Sequence, residues 1–149
     1  MQQNCGHLSI FANKIVLIFM VIIMNLWFYM LFIDLLLPII MFMSSFIFVA
    51  GGPKNINNIF GYRTGWSMIN KDTWAFAHEF CGKLWMKFGG IFILASGIIM
   101  LCLIKTDQRV FVSVAFAIFF AEFVTLFVTI GKTEKALSNT FDRKGNRKK

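Results

Sequence analysis

The polar side chains that could do chemistry gather in one segment of this chain, Gly61 to Trp74, which reads GYRTGWSMINKDTW. The segment stands between long apolar runs and combines an arginine with hydroxyl groups, amides and three aromatic rings. A guanidinium beside aromatic rings is suited to binding phosphate or carboxylate groups. The candidate residues for binding a partner or lipid are Gly61, Tyr62, Arg63, Thr64, Ser67, Asn70 and Trp74.

Arg63 has two interpretations. Its planar, permanently charged fork could hold a lipid phosphate or a partner's carboxylate. Alternatively it could fix the loop by donating to carbonyls at a helix end or to Asp72. Short polar side chains next to a helix start are more often caps than site residues, which is the role we expect for Ser67, Asn70 and Asp72.

Asp34 and Glu122 are acids placed within apolar runs. An ionisable group at membrane depth is costly, so each is a functional hypothesis, and one interpretation is a proton or ion path. The other is a protonated or near-surface Asp34, and a Glu122 bonded to Ser96, Thr125 or another helix. If Trp27 marks the outer membrane interface, a rise of about 1.5 Å per residue places Asp34 roughly 10 Å deep and Glu122 about 18 Å deep. The two acids therefore need not meet. On a helix, Asp34 shares a face with Pro38, Met41 and Ser45.

The other polar residues form no catalytic or metal-binding pattern. His78-Glu79 begins like the zinc-protease motif HExxH, but the position four residues after His78 is Gly82. The sequence has no glycine-rich phosphate loop and no GxSxG motif. Three widely spaced cysteines without a CxxC pair are expected to be isolated apolar side chains, namely Cys5, Cys81 and Cys102. We therefore expect no enzyme, no cofactor and no metal site.

The elements that must position these residues are membrane helices. The chain is 58% hydrophobic and contains 19 phenylalanines, which suits contact with lipid. The sequence predicts an all-α integral membrane protein with three spans, at about 27–50, 88–104 and 110–130. The net charge of +8 comes from residues at the ends of the apolar runs. It is not a basic face on a soluble domain, so no nucleic acid is expected as a partner.

The N-terminal region allows alternatives. Residues 15–50 form an apolar run that is broken by Asn25, Asp34, Pro38, Ser44 and Ser45. As one helix they would extend about 54 Å, nearly twice a hydrocarbon core of about 30 Å. We favour a single span at 27–50 preceded by an N-terminal extension, residues 1–26. A hairpin turning at Asp34, which would give four spans, is weaker because its turn lacks Gly or Asn. The sequence leaves open whether 15–26 enters the membrane and whether the start is Met1 or Met24.

The connections and the last span carry their own signals. Gly51-Gly52-Pro53 should end the first span. From about Asn70 we expect an amphipathic helix with Trp and Lys at the headgroup level, leading into the second span. In the third span the small side, Ser113, Ala117 and Ala121, should pack on a neighbouring helix. The phenylalanine side should face lipid, and the basic tail 131–149 should be a short, frayed helix. The phenylalanine side consists of Phe116, Phe120, Phe123 and Phe127.

The distribution of basic residues sets the orientation. The loop region and the tail together carry twelve Lys and Arg residues, against three on the other side of the predicted membrane. Cytoplasmic segments carry the excess of basic residues. We therefore expect the GYRT loop and the C-terminal tail to be cytoplasmic in a protein of the cell membrane.

The order of these features resembles the SdpI family, bacterial membrane proteins named for immunity to a sporulation-delaying peptide toxin. The resemblance runs from about Trp27 to the C-terminus, which gives an SdpI-like membrane domain at 27–149 of the family's short form. Its most specific residues are Asn57-x-x-x-Gly61-Tyr62-Arg63-Thr64, Ser67-Met68-x-Asn70, Trp74-x-x-Ala77 and Gly82.

The resemblance implies a multi-pass membrane protein that gives immunity to a secreted antimicrobial peptide toxin. It also implies an alternative, in which a cytoplasmic transcriptional regulator is held at the membrane. A small transporter built around Asp34 and Glu122 is a third, weaker alternative. The expected partners are the lipid bilayer with either a peptide toxin or a cytoplasmic regulator, and the sequence leaves a homo-oligomer open.

Overall fold

The structure, a computed structural model, describes the backbone of residues 3–148. Its side chains are described over residues 14–148, apart from 19, 20 and 23. The predictions for Met1 as the start and for Cys5 as an isolated apolar side chain lie outside these ranges.

Three helices make up nearly all of the described chain, and no strand occurs among these residues. They are α1 (Gln3–Val49), α2 (Lys71–Cys102) and α3 (Gln108–Thr140). Each contains a stretch long and apolar enough to cross a membrane, which in α1 is Met24–Val49. The predicted all-α membrane architecture with three spans is confirmed.

The hairpin at Asp34 is wrong, because α1 continues without interruption through Asp34 and Pro38. Strong helix formers surround both residues, and a proline is tolerated in a membrane helix whose neighbours compensate the lost hydrogen bond. The predicted stop after the span is confirmed: Gly51 (φ 93°) and Gly52 (φ 74°) take left-handed conformations. Their amides donate to the carbonyls of Phe48 and Ile47 at 2.9 and 3.1 Å, which satisfies the last turn of the helix.

The helix predicted to lie at the membrane surface is not a separate element in the described chain. Its residues form the first half of α2, which runs as one helix of 32 residues from Lys71 to Cys102. Asn70 caps this helix as predicted, because its side chain accepts from the Thr73 amide while the Thr73 hydroxyl accepts from the Asn70 amide. The predicted surface helix and the predicted second span therefore belong to one continuous helix.

The packing face of α3 differs from the prediction. Ser113, Ala117 and Ala121 are exposed and border an open groove between α2 and α3. The face that packs on the other helices has buried residues four or seven positions apart, namely Phe111, Ala115, Glu122, Thr129, Thr133 and Leu137. The phenylalanine side is exposed from the helix bundle, with Phe120 at 67% exposure, as its predicted contact with lipid requires.

Small residues bring α1 and α2 together. A Cβ atom added at Gly82 would lie 2.7 Å from the Cβ atom of Phe48 and 2.8 Å from the amide nitrogen of Val49. One added at Gly89 would lie 3.0 Å from the backbone of Pro38 and Phe42. Such close approach is how membrane helices gain packing energy where no water drives them together.

Apolar side chains form two clusters at opposite ends of the helix bundle. The loop-end cluster lies beneath the GYRT loop and consists of Phe48, Tyr62, Ala77, Cys81, Leu137 and Phe141. The turn-end cluster lies near the α2–α3 turn and consists of Met100, Phe111 and Ala115, with Trp27 packed against it. The Trp27 indole donates to the Met100 carbonyl at 3.1 Å and ties α1 to α2 there.

Candidate functional site

The candidate site at the loop end is arranged around His78, a buried residue of the second turn of α2. Its ring lies between the rings of Trp74 and Phe48, with centroid distances of 4.3 and 4.8 Å. The Tyr62 amide donates to Nε2 at 2.8 Å, so the ring proton resides on Nδ1, which donates to the Trp74 carbonyl at 2.7 Å. Both ring nitrogens are therefore engaged, and the imidazole is neutral.

Gly52 and Gly61 make room for this ring. A Cβ atom at either position would overlap the imidazole of His78, and Gly61 has a φ of 126°, a conformation that favours glycine. The role of Gly61 is thus to let the loop backbone pass directly over the histidine.

Tyr62 connects the loop to α3. Its hydroxyl donates to Glu134 Oε1 at 2.9 Å and also lies 3.2 Å from the Ile130 carbonyl. Burial, and next the Glu134 carboxylate, raise the pKa of Tyr62 well above its usual value. The phenol is therefore a fixed donor, which holds the loop against the end of the third helix.

The remaining polar residues of the loop bond one another or nearby backbone. Ser67 accepts from the Thr64 amide at 2.9 Å and donates to the Tyr62 carbonyl at 2.8 Å. The Asn70 side chain donates to the Gly145 carbonyl at 2.8 Å, besides capping α2. The Trp74 indole donates to the Pro53 carbonyl at 2.8 Å. Six of the seven candidate residues of the loop are thereby used within the chain, as parts of one network.

Arg63 is the exception among the candidates, since its side chain points away from this network and is exposed. It donates to the Asn58 carbonyl and not to Asp72. Asp72 is not a cap either, because its carboxylate accepts two hydrogen bonds from Arg147, both at 2.9 Å. One guanidinium nitrogen of Arg63 therefore bonds the loop backbone, and the rest of the exposed side chain can contact lipid or a partner.

The tail does not fray as predicted. α3 continues to Thr140, and the chain then turns back through a bridge between Phe141 and Arg147. Gly145, at a φ of 82°, lies directly against Asn70. The tail therefore packs against the loop end. The burial of Phe141 and the ion pair between Arg147 and Asp72 hold it there.

The two acids of the spans come together, although their predicted depths did not require it. Asp34 is 1% exposed and Glu122 is 0% exposed. The contacts of Trp27 with Met100 and of Pro38 with Gly89 place Asp34 at the height of Ser96, which bonds Glu122. Ser96 donates to Glu122 Oε1 at 3.1 Å, which is one of the bonds the sequence suggested. Asp34 Oδ2 and Glu122 Oε2 have no hydrogen-bond partner.

The predicted helix face of Asp34 is confirmed. Pro38, Met41 and Ser45 are buried along the same side of α1. Asp34 therefore points into the bundle, toward α2 and α3, instead of toward lipid.

Several residues of the loop end were missed by sequence reasoning. His78 was considered only as a failed metal ligand, whereas it is the residue on which the loop rests. Its spacing of four residues from Trp74 on one helix face was the available signal. Gly145 and Arg147 lie about 75 residues from their partners, and no local pattern connects positions so distant in the chain.

The histidine and cysteine side chains offer no metal centre in the part of the chain with described side chains. No group of three or more His, Cys, Asp and Glu residues there could hold a metal ion. Cys81 is buried in the loop-end cluster, and Cys102 is exposed at the end of α2.

The loop and the helices that hold it also carry a family signature. The sequence model of the SdpI/YfhL protein family matches residues 54–130, slightly more than half of the chain. A comparison with curated proteins finds no match, and a comparison with solved structures finds none either. The family match covers the GYRT loop, all of α2 and most of α3. The chain is therefore a membrane protein that belongs to the SdpI/YfhL family.

Proposed function

We propose that this protein protects its host cell membrane against a secreted antimicrobial peptide, with the GYRT loop and the tail on the cytoplasmic side. Membership of the SdpI/YfhL family is the observation that carries this proposal. The proposal needs no catalytic group and no cofactor. It requires a surface that an incoming peptide can reach.

The polar groups at the loop end are already hydrogen-bonded within the chain, which supports placing the peptide-binding surface elsewhere. His78, Ser67, Asn70 and Trp74 are bonded within the chain and could bind a partner only after the loop opened. Breaking such buried bonds costs roughly 1–3 kcal/mol for each group left unpaired. The loop thus serves as the scaffold that holds the three helices together.

The opposite end offers a more accessible surface. A cavity of about 100 Å³ opens there, lined by residues of α1 and of the α2–α3 turn that include Met24, Trp27, Leu103 and Phe111. Exposed Lys105 and Arg109 flank this turn. Under the predicted orientation this is the outer end, where a secreted peptide arrives. An apolar side chain of the peptide would enter the cavity, and the two cations would attract its carboxylates.

Survival of a sensitive bacterium tests the proposal. Cells that produce the protein are challenged with a panel of membrane-active killing peptides from related producers. We expect protection by the wild type, loss of protection in the double variant Lys105→Ala/Arg109→Ala, and retained protection in the control Lys135→Ala. Membrane expression is verified for each. A wild type that protects against none of the peptides would count against immunity.

A second candidate function, holding a soluble transcriptional regulator at the membrane, is supported by the exposed arginines of the loop and the tail, Arg63 and Arg143. An open groove of about 420 Å³ is lined there by Gly65, Trp66, Ile69 and Arg143. Exposed arginines beside an indole can bind an acidic segment of a partner. For this function we expect Arg63→Ala/Arg143→Ala to abolish regulator capture by the membrane fraction while leaving peptide protection intact. Trp74 cannot serve in this test, because its burial makes any substitution structural.

A further inference from the structure

The middle of the helix bundle contains an arrangement that neither proposed function uses. One carboxyl comes from α1 (Asp34), one from α3 (Glu122) and one hydroxyl from α2 (Ser96). All three side chains are at least 99% buried. The three helices thus each contribute one polar group to the same interior region.

The hydrogen bonds within this group are incomplete. Ser96 provides one donor, which goes to Glu122 Oε1, and one oxygen of each carboxyl remains without a partner. Pro38 has no N–H, so the backbone carbonyl of Asp34, one turn earlier, lacks its usual helix donor. An interior rich in oxygen acceptors and poor in donors favours a bound cation.

No basic side chain among the described residues supplies that cation. Within the part of the chain with described side chains, the nearest basic residues along α2 and α3 are Lys87, nine residues before Ser96, and Lys132, ten residues after Glu122. At 1.5 Å per residue these lie about 13 and 15 Å away along the helix axes. The basic residue that precedes Asp34 in α1 is Lys14, still further away. Uncompensated carboxylates at this depth would be costly.

We infer that Asp34, Ser96 and Glu122 form a reversible binding site for a small monovalent cation, a proton or a sodium ion. Two carboxyls and a hydroxyl are hard oxygen ligands, which suit a proton or a sodium ion. Ser96 is also part of the lining of the open groove between α2 and α3, so this groove ends against the site.

Occupancy of this site is connected to helix packing. Pro38, one turn after Asp34, is part of the close contact with Gly89 of α2. Loss of the cation would leave two like charges facing each other next to this contact and would separate α1 from α3. The site therefore makes the packing of the bundle dependent on cation concentration.

Labelling with dicyclohexylcarbodiimide tests the inference, because this reagent modifies protonated carboxyls in apolar surroundings. The purified full-length protein in detergent is labelled over a range of pH, with sodium chloride or choline chloride, and the adducts are located by mass spectrometry. We expect labelling at Asp34 or Glu122 that falls as the pH rises. Protection by sodium but not by choline identifies sodium as the occupant, and equal labelling in both salts identifies the proton.

Matched variants separate the site from a structural effect. Ser96→Ala removes the hydroxyl that stabilises the charged form of Glu122. It should move the pH of half-labelling upward by about half a unit to one unit. Ser138→Ala, far from the site on α3, removes a hydroxyl that donates to its own helix and should leave the pH of half-labelling unchanged. Size-exclusion profiles verify that both variants are folded.

Two outcomes would overturn the inference. One is the absence of adducts on both acids at the lowest pH at which the protein stays folded. The other is labelling that does not change with pH or salt, which would make the acids permanently protonated structural groups. Neither outcome bears on peptide immunity, because the measurement uses purified protein and no toxin.

Discussion

At the loop end the buried polar groups are paired within the chain, whereas in the middle of the bundle Asp34 and Glu122 each keep a carboxyl oxygen without a partner. Both regions are buried, and both contain polar groups that would be costly to leave unpaired. At the loop end the buried polar groups form a closed network that leaves none of them free to bind a ligand. In the middle of the bundle, one carboxyl oxygen of Asp34 and one of Glu122 remain unpaired. Within this one small protein, the region with the most recognisable sequence motif is thus the scaffold, and the region with two isolated acids is the one equipped to bind.

The largest effect is expected from removing His78, the centre of the closed network at the loop end. His78→Ala leaves the Tyr62 amide unpaired and opens a cavity between Trp74 and Phe48. We expect the free energy of unfolding to fall by about 3 kcal/mol, from the cavity and the lost hydrogen bonds together. Thermal unfolding in detergent, followed by tryptophan fluorescence, measures the change.

Its control is the neighbouring residue. Glu79→Ala removes only an exposed pair with Lys83, whose side chains are 52% and 64% exposed, and pairs of this kind contribute about 0–1 kcal/mol. An equal loss in both variants would show that the network around His78 does not hold the loop.

The packing between α1 and α2 gives the next largest effect. Gly82→Ala places a methyl group 2.7 Å from Phe48 Cβ, and the backbones must separate. We expect a loss of about 2 kcal/mol, as for overpacked cores. Gly97→Ala in the same helix meets no atom within 4 Å and should be neutral or slightly stabilising, because alanine is the better helix former. Urea or thermal unfolding of both variants checks the difference, and a neutral Gly82→Ala would contradict the close approach.

The incomplete bonding in the middle of the bundle predicts a moderate effect. Ser96→Ala removes the only side-chain donor found on Glu122 and should cost about 1 kcal/mol. Ser113→Ala removes an exposed hydroxyl that donates to its own helix at 2.8 Å and should cost less than half of that. Thermal unfolding at neutral pH separates the two. If Ser96→Ala raised the stability, the buried hydroxyl would destabilise the bundle, and its hydrogen bond to Glu122 would not be a stabilising one.

The smallest effect belongs to the tail. Arg147→Ala removes the exposed ion pair with Asp72 and the contact with the Phe141 ring, 5.6 Å from the guanidinium carbon. Because water and salt screen such pairs, we expect the unfolding temperature to stay nearly unchanged. Trypsin cleavage at Arg143 and Lys144 should nevertheless become faster, as the tail detaches from Asn70 more often. Unchanged cleavage would mean that Phe141 alone holds the tail.

Sequence reasoning reached the architecture and the caps but not the contacts between helices. The three apolar stretches, the stop at Gly51-Gly52 and the Asn70 cap follow from signals contained within a few neighbouring residues. The face of α3 was misread because Ser113, Ala117 and Ala121 are small, and smallness was taken to mean packing. On α2, Gly89 lies directly against α1 whereas Gly97 meets no atom within 4 Å, so small size alone does not identify a packing position.

The sequence by itself determined that this chain is a three-span helical membrane protein, because hydropathy, length and capping are local properties. It also determined the buried face of Asp34, because helical periodicity fixes which side chains share a side. Only the tertiary structure decided that Asp34, Ser96 and Glu122 meet, that His78 carries the loop and that the tail returns to Asp72. Those contacts depend on the rotation and height of each helix relative to the others. Close packing of side chains at distant positions sets both quantities, and no pattern within a single helix encodes them.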